Sequence, residues 1–281
     1  MKRPRVGHIE FLNCLPIYWG LARTGALVDV ELHKDTPDRL NEKLVSGELD
    51  VGPISVVEYL RHRDRLRLIP DIAVAADGAV LSVNLVTKRP LAELPSQPDI
   101  ALAATSRTGV ALARLLLEQR YDRRPRYRHA SPVLHEAMDD VDGAVLIGDE
   151  ALRVHHSPGT LHVTDLAAAW KEWTGQAMVF AVWAARDDYA QDNPDTVAGL
   201  HKAFRESIAI CESEMETVVA SAARWEPFAP EALAEYFEHL QFNLSDDHVK
   251  GLVEFSRRAE EYTGVRPLEH PRFIEPTPGM P

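Results

Sequence analysis

Cysteine is almost missing from this chain: Cys14 and Cys211 are the only two in 281 residues, far apart and without CxxC spacing. A disulfide framework and the common structural zinc sites are thereby excluded. Long apolar runs are missing too, and no stretch approaches the roughly 20 residues of a membrane span. The basic start, MKRPRVGHIEFLN, passes straight into a strand pattern without the apolar core of a signal peptide. The expected location is therefore the cytoplasm. Basic charge is in deficit, with 31 Lys and Arg against 43 Asp and Glu and a net charge of -12. Neither a general nucleic-acid surface nor an anionic-membrane surface fits that balance, so an anionic ligand must be met by a local pocket. No Walker A, GxGxxG, GxSxG or kinase signature occurs. His129, His135, His155, His156 and the run Asp246-Asp247-His248 lack the spacing of HExxH or a comparable ligand set, and no metal is expected.

What is present is an ordinary globular mixture, 45% hydrophobic and 26% charged, which rules out a disordered or fibrous chain. Short apolar strands alternate with amphipathic helices: RVGHIEF then PIYWGLAR, DVELHK then PDRLNEKLVSG, DVGPI then SVVEYLRHR. Such alternation predicts βαβ units and a mainly parallel sheet. AVLSVNLVTKRPL reads as a long strand leaving that sheet, and AMVFAVWAAR as the strand that returns to it. Between them lies a shorter α/β series. The expected organisation is a larger discontinuous lobe, 1–85 with 181–281, holding a smaller inserted lobe, 86–180. Pro194, Pro230 and Ser245 open helices in the remaining third, and Gly264 stops the last one.

Ligands of open α/β sheets bind beyond the carboxyl ends of strands, where helix N-termini offer free N–H groups. Four strand-to-helix turns qualify, two from each lobe: Asn13-Cys14, Ser55, Thr105 to Gly109, and Gly148-Asp149. The segment ATSRTGVALARLL offers Thr105, Ser106 and Thr108 as small hydroxyl donors, which serve equally as helix caps; Arg107 can pair with a carboxylate or stand exposed. Asn13 reads either as a cap or as an amide aimed into the cleft. Cys14 lacks a neighbouring base and reads as packing rather than as a nucleophile. Ser55 carries the same cap-or-ligand ambiguity. Ser82 and Asn84 alternate with Leu81, Val83 and Leu85, which puts hydroxyl and amide on one side of the departing strand.

With these turns laid out, the chain resembles the chorismate dehydratase family of menaquinone biosynthesis, the first enzyme of the futalosine route. GHIEFLNCLPIYWGL, LVSGELDVGPISVVEYL, SVNLVTKRPL, IALAATSRTGVALARLLL, GAVLIGDEAL and DLAAAWKEWTGQAMVFAVWAAR carry the resemblance, in family order. It implies a type II periplasmic-binding-protein-like α/β fold, two lobes joined by two crossing strands around a ligand cleft. It also implies conversion of chorismate to 3-[(1-carboxyvinyl)oxy]benzoate and water without metal or organic cofactor. By correspondence Asn13 and Ser82 are the catalytic pocket residues, and Thr105, Ser106, Arg107 and Thr108 form the hydroxyl-rich helix start. No protein base stands out, so the substrate's enolpyruvyl carboxylate is the expected proton acceptor, with His8, Glu10 and Asp149 as protein alternatives. Two rivals remain: a non-catalytic binding protein or sensor for a small organic anion, and the naphthoate-forming enzyme of the same route, whose N-terminal proline- and cysteine-rich pattern differs from EFLNCLPIYWG.

Overall fold

The computed structural model describes residues 3–103, 106–131 and 133–274. Among the described residues, ten strands form two mixed five-stranded sheets. The first sheet takes β1 (Arg5–Ile9), β2 (Glu31–Asp35), β3 (Val51–Ser55) and β4 (Leu66–Ala76) from the first quarter of the chain. The second takes β5 (Val83–Thr87), β6 (Asp99–Ala103), β7 (Arg126–His129), β8 (Gly143–Ile147) and β9 (His162–Asp165). Then β10 (Met178–Arg186) rejoins the first sheet, giving the orders β2-β1-β3-β10-β4 and β7-β6-β8-β5-β9.

The βαβ units predicted from alternation are parallel, with β1 beside β2 and β3, and β6 beside β7 and β8. The strands that follow each passage between sheets run the other way: β10 is antiparallel to β3 and β4, and β5 to β8 and β9. The lobe boundaries expected at 85/86 and 180/181 fall inside β5 and β10. Strand membership moves the two passages to residues 77–82 and 166–177.

Every residue of β3, β5 and β8 is buried, so both faces of each are covered, and β8 reads as an unbroken apolar run for that reason. In the second sheet, period-2 alternation sends Leu85, Val145 and Ile100 into the core continuous with the first lobe. It sends Val86, Ala144, Leu146 and Ala101 into a smaller cluster with Ala137, Ala151 and Val154. The C-terminal third is helical, as its Pro-opened amphipathic segments predict, and the helix Pro230–His239 reaches Ser82 through Tyr236. No helix among the described residues is long and apolar enough to cross a membrane.

Candidate active site

The four strand-to-helix turns meet two by two across the space between the sheets. The turn after β1 faces the turn after β8, where the Leu12 N–H donates to Asp149 Oδ1 at 3.2 Å. The turn after β3 faces the helix after β6, where the Val57 N–H donates to Thr108 Oγ1 at 3.2 Å. At the rim, Arg107 Nε lies 3.2 Å from Glu58 Oε1, again from one lobe to the other. These contacts enclose a cavity of about 50 Å³, lined from both sheets by Ile9, Phe11, Ser55, Val74, Ser82, Ser106, Ile147 and Phe180 together with Asn13 and Asn41. That volume suits one or two waters. As it stands, the cavity has no room for a ring-sized ligand.

Asn13 is presented by a single 3-10 turn, Leu12–Cys14, closed by the Cys14 N–H donating to the Phe11 carbonyl at 3.1 Å. The helix Leu15–Thr24 follows with Pro16 in its first turn, where a missing N–H costs nothing. Cys14, not Asn13, is the residue before that helix, and no side chain caps it. The cap alternative for Asn13 therefore fails. Its amide lines the cavity, and its Oδ1 is buried without a hydrogen-bond partner. Leaving such an acceptor unsatisfied costs stability, and costs of this kind concentrate at functional sites. The turn is fixed from behind: Gly20 packs so closely on Ser207 of the helix Pro194–Ser213 that a Cβ would stand 2.5 Å from the Ser207 Cα. Cys14 itself is fully buried and its thiol is pushed well up by desolvation, as a packing residue rather than a nucleophile would be.

Ser82 precedes β5 and is 2% exposed, and its Oγ accepts from the Tyr236 hydroxyl at 2.9 Å. Asn84 goes elsewhere. Its Nδ2 donates to the Leu81 and Ala151 carbonyls at 2.7 and 3.1 Å, and it is absent from the cavity lining. The expected pairing of Ser82 with Asn84 on one face is thus broken. Ser82 stands just outside the strand, whose pairing begins at Val83, so period-2 alternation does not extend to it; Leu81 before it has a φ of 62°. Such a conformation is unusual for a leucine and leaves no mark in the sequence.

Ser55 lines the cavity and also caps the next helix, accepting from the Glu58 N–H and from Asn41 Nδ2, each at 3.4 Å. Ser106 does the same for its own helix, accepting from the Gly109 N–H at 3.5 Å. Thr108 is fully buried and spends its oxygen on Val57 rather than facing the cavity. Arg107 is half exposed and held by Glu58. Thr105 lies outside the described residues. Gly148 takes a φ of 66°, and a Cβ there would meet the Phe11 ring at 3.2 Å, so the glycine lets ring and backbone close one wall.

None of the three protein alternatives for a base lines the cavity. His8 stacks on Tyr18 with ring centroids 3.8 Å apart, and burial holds its pKa down at about 4. Glu10 is exposed. Asp149 comes nearest, since its neighbour Gly148 is a wall residue. Desolvation raises it to about 6, against the opposing hydrogen bond from Leu12. Among the described residues, the polar side chains in the lining are Asn13, Asn41, Ser55, Ser82 and Ser106, and none of the lining residues is ionisable. Asn41, Phe11, Phe180 and Tyr236 were not singled out by sequence. Asn41 sits in an amphipathic helix, and the aromatics look like ordinary core.

Fold and cleft define a two-lobed α/β protein of the periplasmic-binding-protein type. The aliphatic sulphonate binding protein of Escherichia coli matches with a TM-score of 0.69 at 16% identity, covering 100% of this chain and 96% of that one. A crystallised protein of Archaeoglobus fulgidus matches with a TM-score of 0.75 at 19% identity, covering 94% and 98%. Within that class, the chain belongs to the menaquinone biosynthesis family, whose model matches residues 4–261. A chorismate dehydratase of Thermus thermophilus is 34% identical over 270 residues, which is 90% of this chain and 94% of that protein. Another, from Campylobacter jejuni, is 28% identical over 179 residues, 62% of this chain and 64% of that protein.

Proposed function

We infer that this protein is a chorismate dehydratase, a hydro-lyase that converts chorismate to 3-[(1-carboxyvinyl)oxy]benzoate and water. The same inference makes it the opening enzyme of the futalosine route to menaquinone, working in the cytoplasm where chorismate is made. Similarity to the named dehydratases supports the substrate. The neutral cavity lining carries the mechanism.

Chorismate carries two carboxylates on a cyclohexadiene. Loss of the C3 proton and the C4 hydroxyl leaves a benzene ring, so aromatisation drives the elimination. In a cavity without a cationic side chain, a carboxylate is desolvated but not neutralised, which raises its basicity. The enolpyruvyl carboxylate hangs from C3 itself and takes the C3 proton. The C–H electron pair becomes the new ring double bond, the C4–O bond breaks, and the departing hydroxide leaves as water with the abstracted proton. Asn13 and Ser82 hold the carboxylate and the leaving hydroxyl in line, a contribution of position rather than of proton affinity. When the lobes part, the Val57 N–H is released from Thr108 and becomes a donor for the ring carboxylate, with Ser55 and Ser106 beside it.

The competing assignment, an anion-binding protein without turnover, is favoured by fold alone. Incubation of purified protein with chorismate separates the two. A dehydratase removes the diene absorbance and yields the aromatic ether; unaltered chorismate with measurable binding identifies the sensor.

A further inference from the structure

We propose that Tyr236 is a positioning residue that fixes Ser82 as a hydrogen-bond donor into the cleft. The proposal rests on the dehydratase assignment above and adds to it a residue from the C-terminal helical third.

Tyr236 is fully buried on the helix Pro230–His239, more than 150 positions along the chain from Ser82, and its hydroxyl lies 2.9 Å from Ser82 Oγ. A buried phenol needs an acceptor for its single proton. Among the described residues Ser82 Oγ is its partner, so the phenol donates and the serine accepts. A serine hydroxyl has one hydrogen of its own, and with one lone pair engaged from behind that hydrogen is directed elsewhere. Ser82 is a wall residue of the cavity, so the free direction is toward the substrate. The result is a donor with a fixed sense, which suits a group that must hold a leaving hydroxyl or a carboxylate.

The phenol is suited to stay a donor. Desolvation pushes its ionisation far upward, against the opposing hydrogen bond with Ser82, and the nearby Asp149 and Cys14 add to that push. The ring stacks on Phe237 with centroids 5.7 Å apart, which limits its reorientation. Tyr236 does not line the cavity, so its effect on the reaction passes through Ser82.

The test is a double-mutant cycle on turnover of chorismate with Tyr236→Phe, Ser82→Ala and the double variant, with thermal melting followed in all four proteins. Tyr236→Phe keeps the ring and removes the proton, so kcat is expected to fall on the order of tenfold to a hundredfold with KM changed much less. In the Ser82→Ala background the same substitution is expected to cost nothing further. Equal losses in both backgrounds, or a change confined to KM, overturn the proposal while leaving the dehydratase assignment intact. Wild-type protein that leaves chorismate unchanged overturns the assignment, and the positioning role falls with it. The melting cycle needs no substrate: coupling between the two sites is expected there, and strictly additive shifts contradict the hydrogen bond itself.

Discussion

The Leu12 N–H donates to Asp149 Oδ1 at 3.2 Å, so a carboxylate of one lobe holds the turn that presents Asn13 from the other. Asp149 is thus a latch between lobes rather than a wall of the cavity. Its desolvation is the cost of that placement.

Asp149→Asn separates latch from charge, because the amide oxygen still accepts from Leu12. Turnover is expected to persist, whereas its abolition with binding and folding intact would make Asp149 the base. Stability gives an independent readout. Asp149 is raised to about 6 in the folded protein, so the folded state binds the proton more tightly than the unfolded state. Its contribution is present below the ordinary carboxylate range and is lost as pH rises toward 6. His8, held down at about 4, acts in the opposite sense: its contribution is present at neutral pH and is lost as pH falls from about 6.5 toward 4. Melting of wild type and Asp149→Asn between pH 4 and 7 should therefore diverge, with wild type gaining relative to the variant as pH falls.

Asn13→Ala should show activity and stability moving apart. Loss of the amide is expected to lower kcat/KM by about a hundredfold or more. Because Asn13 Oδ1 is buried without a partner, its removal relieves an unsatisfied acceptor, and the melting temperature should hold or rise. A fall in both together would point to a structural role.

Thr108→Val removes the acceptor facing the Val57 N–H without removing volume, and should destabilise by about 1–3 kcal/mol. Thr108→Ser should restore most of the loss. Since the contact spans the lobes, small-angle scattering should also show a more open average shape for the valine variant. Saturation with product should compact it.

Gly148→Ala combines a positive φ with a Cβ 3.2 Å from the Phe11 ring. The conformation alone costs about 1–2 kcal/mol. Displacement of Phe11 should also raise KM for chorismate, which initial-rate kinetics would measure.

Much of the site's outline is legible in the sequence because strand-to-helix turns are punctuated by small polar residues and proline. Ser55 and Ser106 are found that way, and each proves to be both cap and wall. Asn13 is found by the same signal, although the sequence leaves it open between cap and cleft. The structure makes Cys14 the residue before the helix and puts Asn13 in the cavity lining with an unpartnered oxygen, and partners are a property of three dimensions. Asn84 departs from the expected pairing because alternation presumes that Ser82 is already in the strand, whereas the strand begins at Val83 and nothing in the sequence marks that start. Thr108 is misassigned for a different reason: a hydroxyl at a helix start has many available partners, and here the partner is another helix start across the cleft. Phe11, Phe180 and Tyr236 carry no local signal, since apolar walls and buried phenols follow the same periodicity as core.

The most direct test is a parallel time course of chorismate with wild type and Asn13→Ala, followed by ultraviolet absorbance and product identification. Wild type should convert the diene completely to 3-[(1-carboxyvinyl)oxy]benzoate, while the folded Asn13→Ala protein leaves it almost untouched. Intact chorismate in both reactions, or equal rates in both, would contradict a dehydratase centred on this cleft.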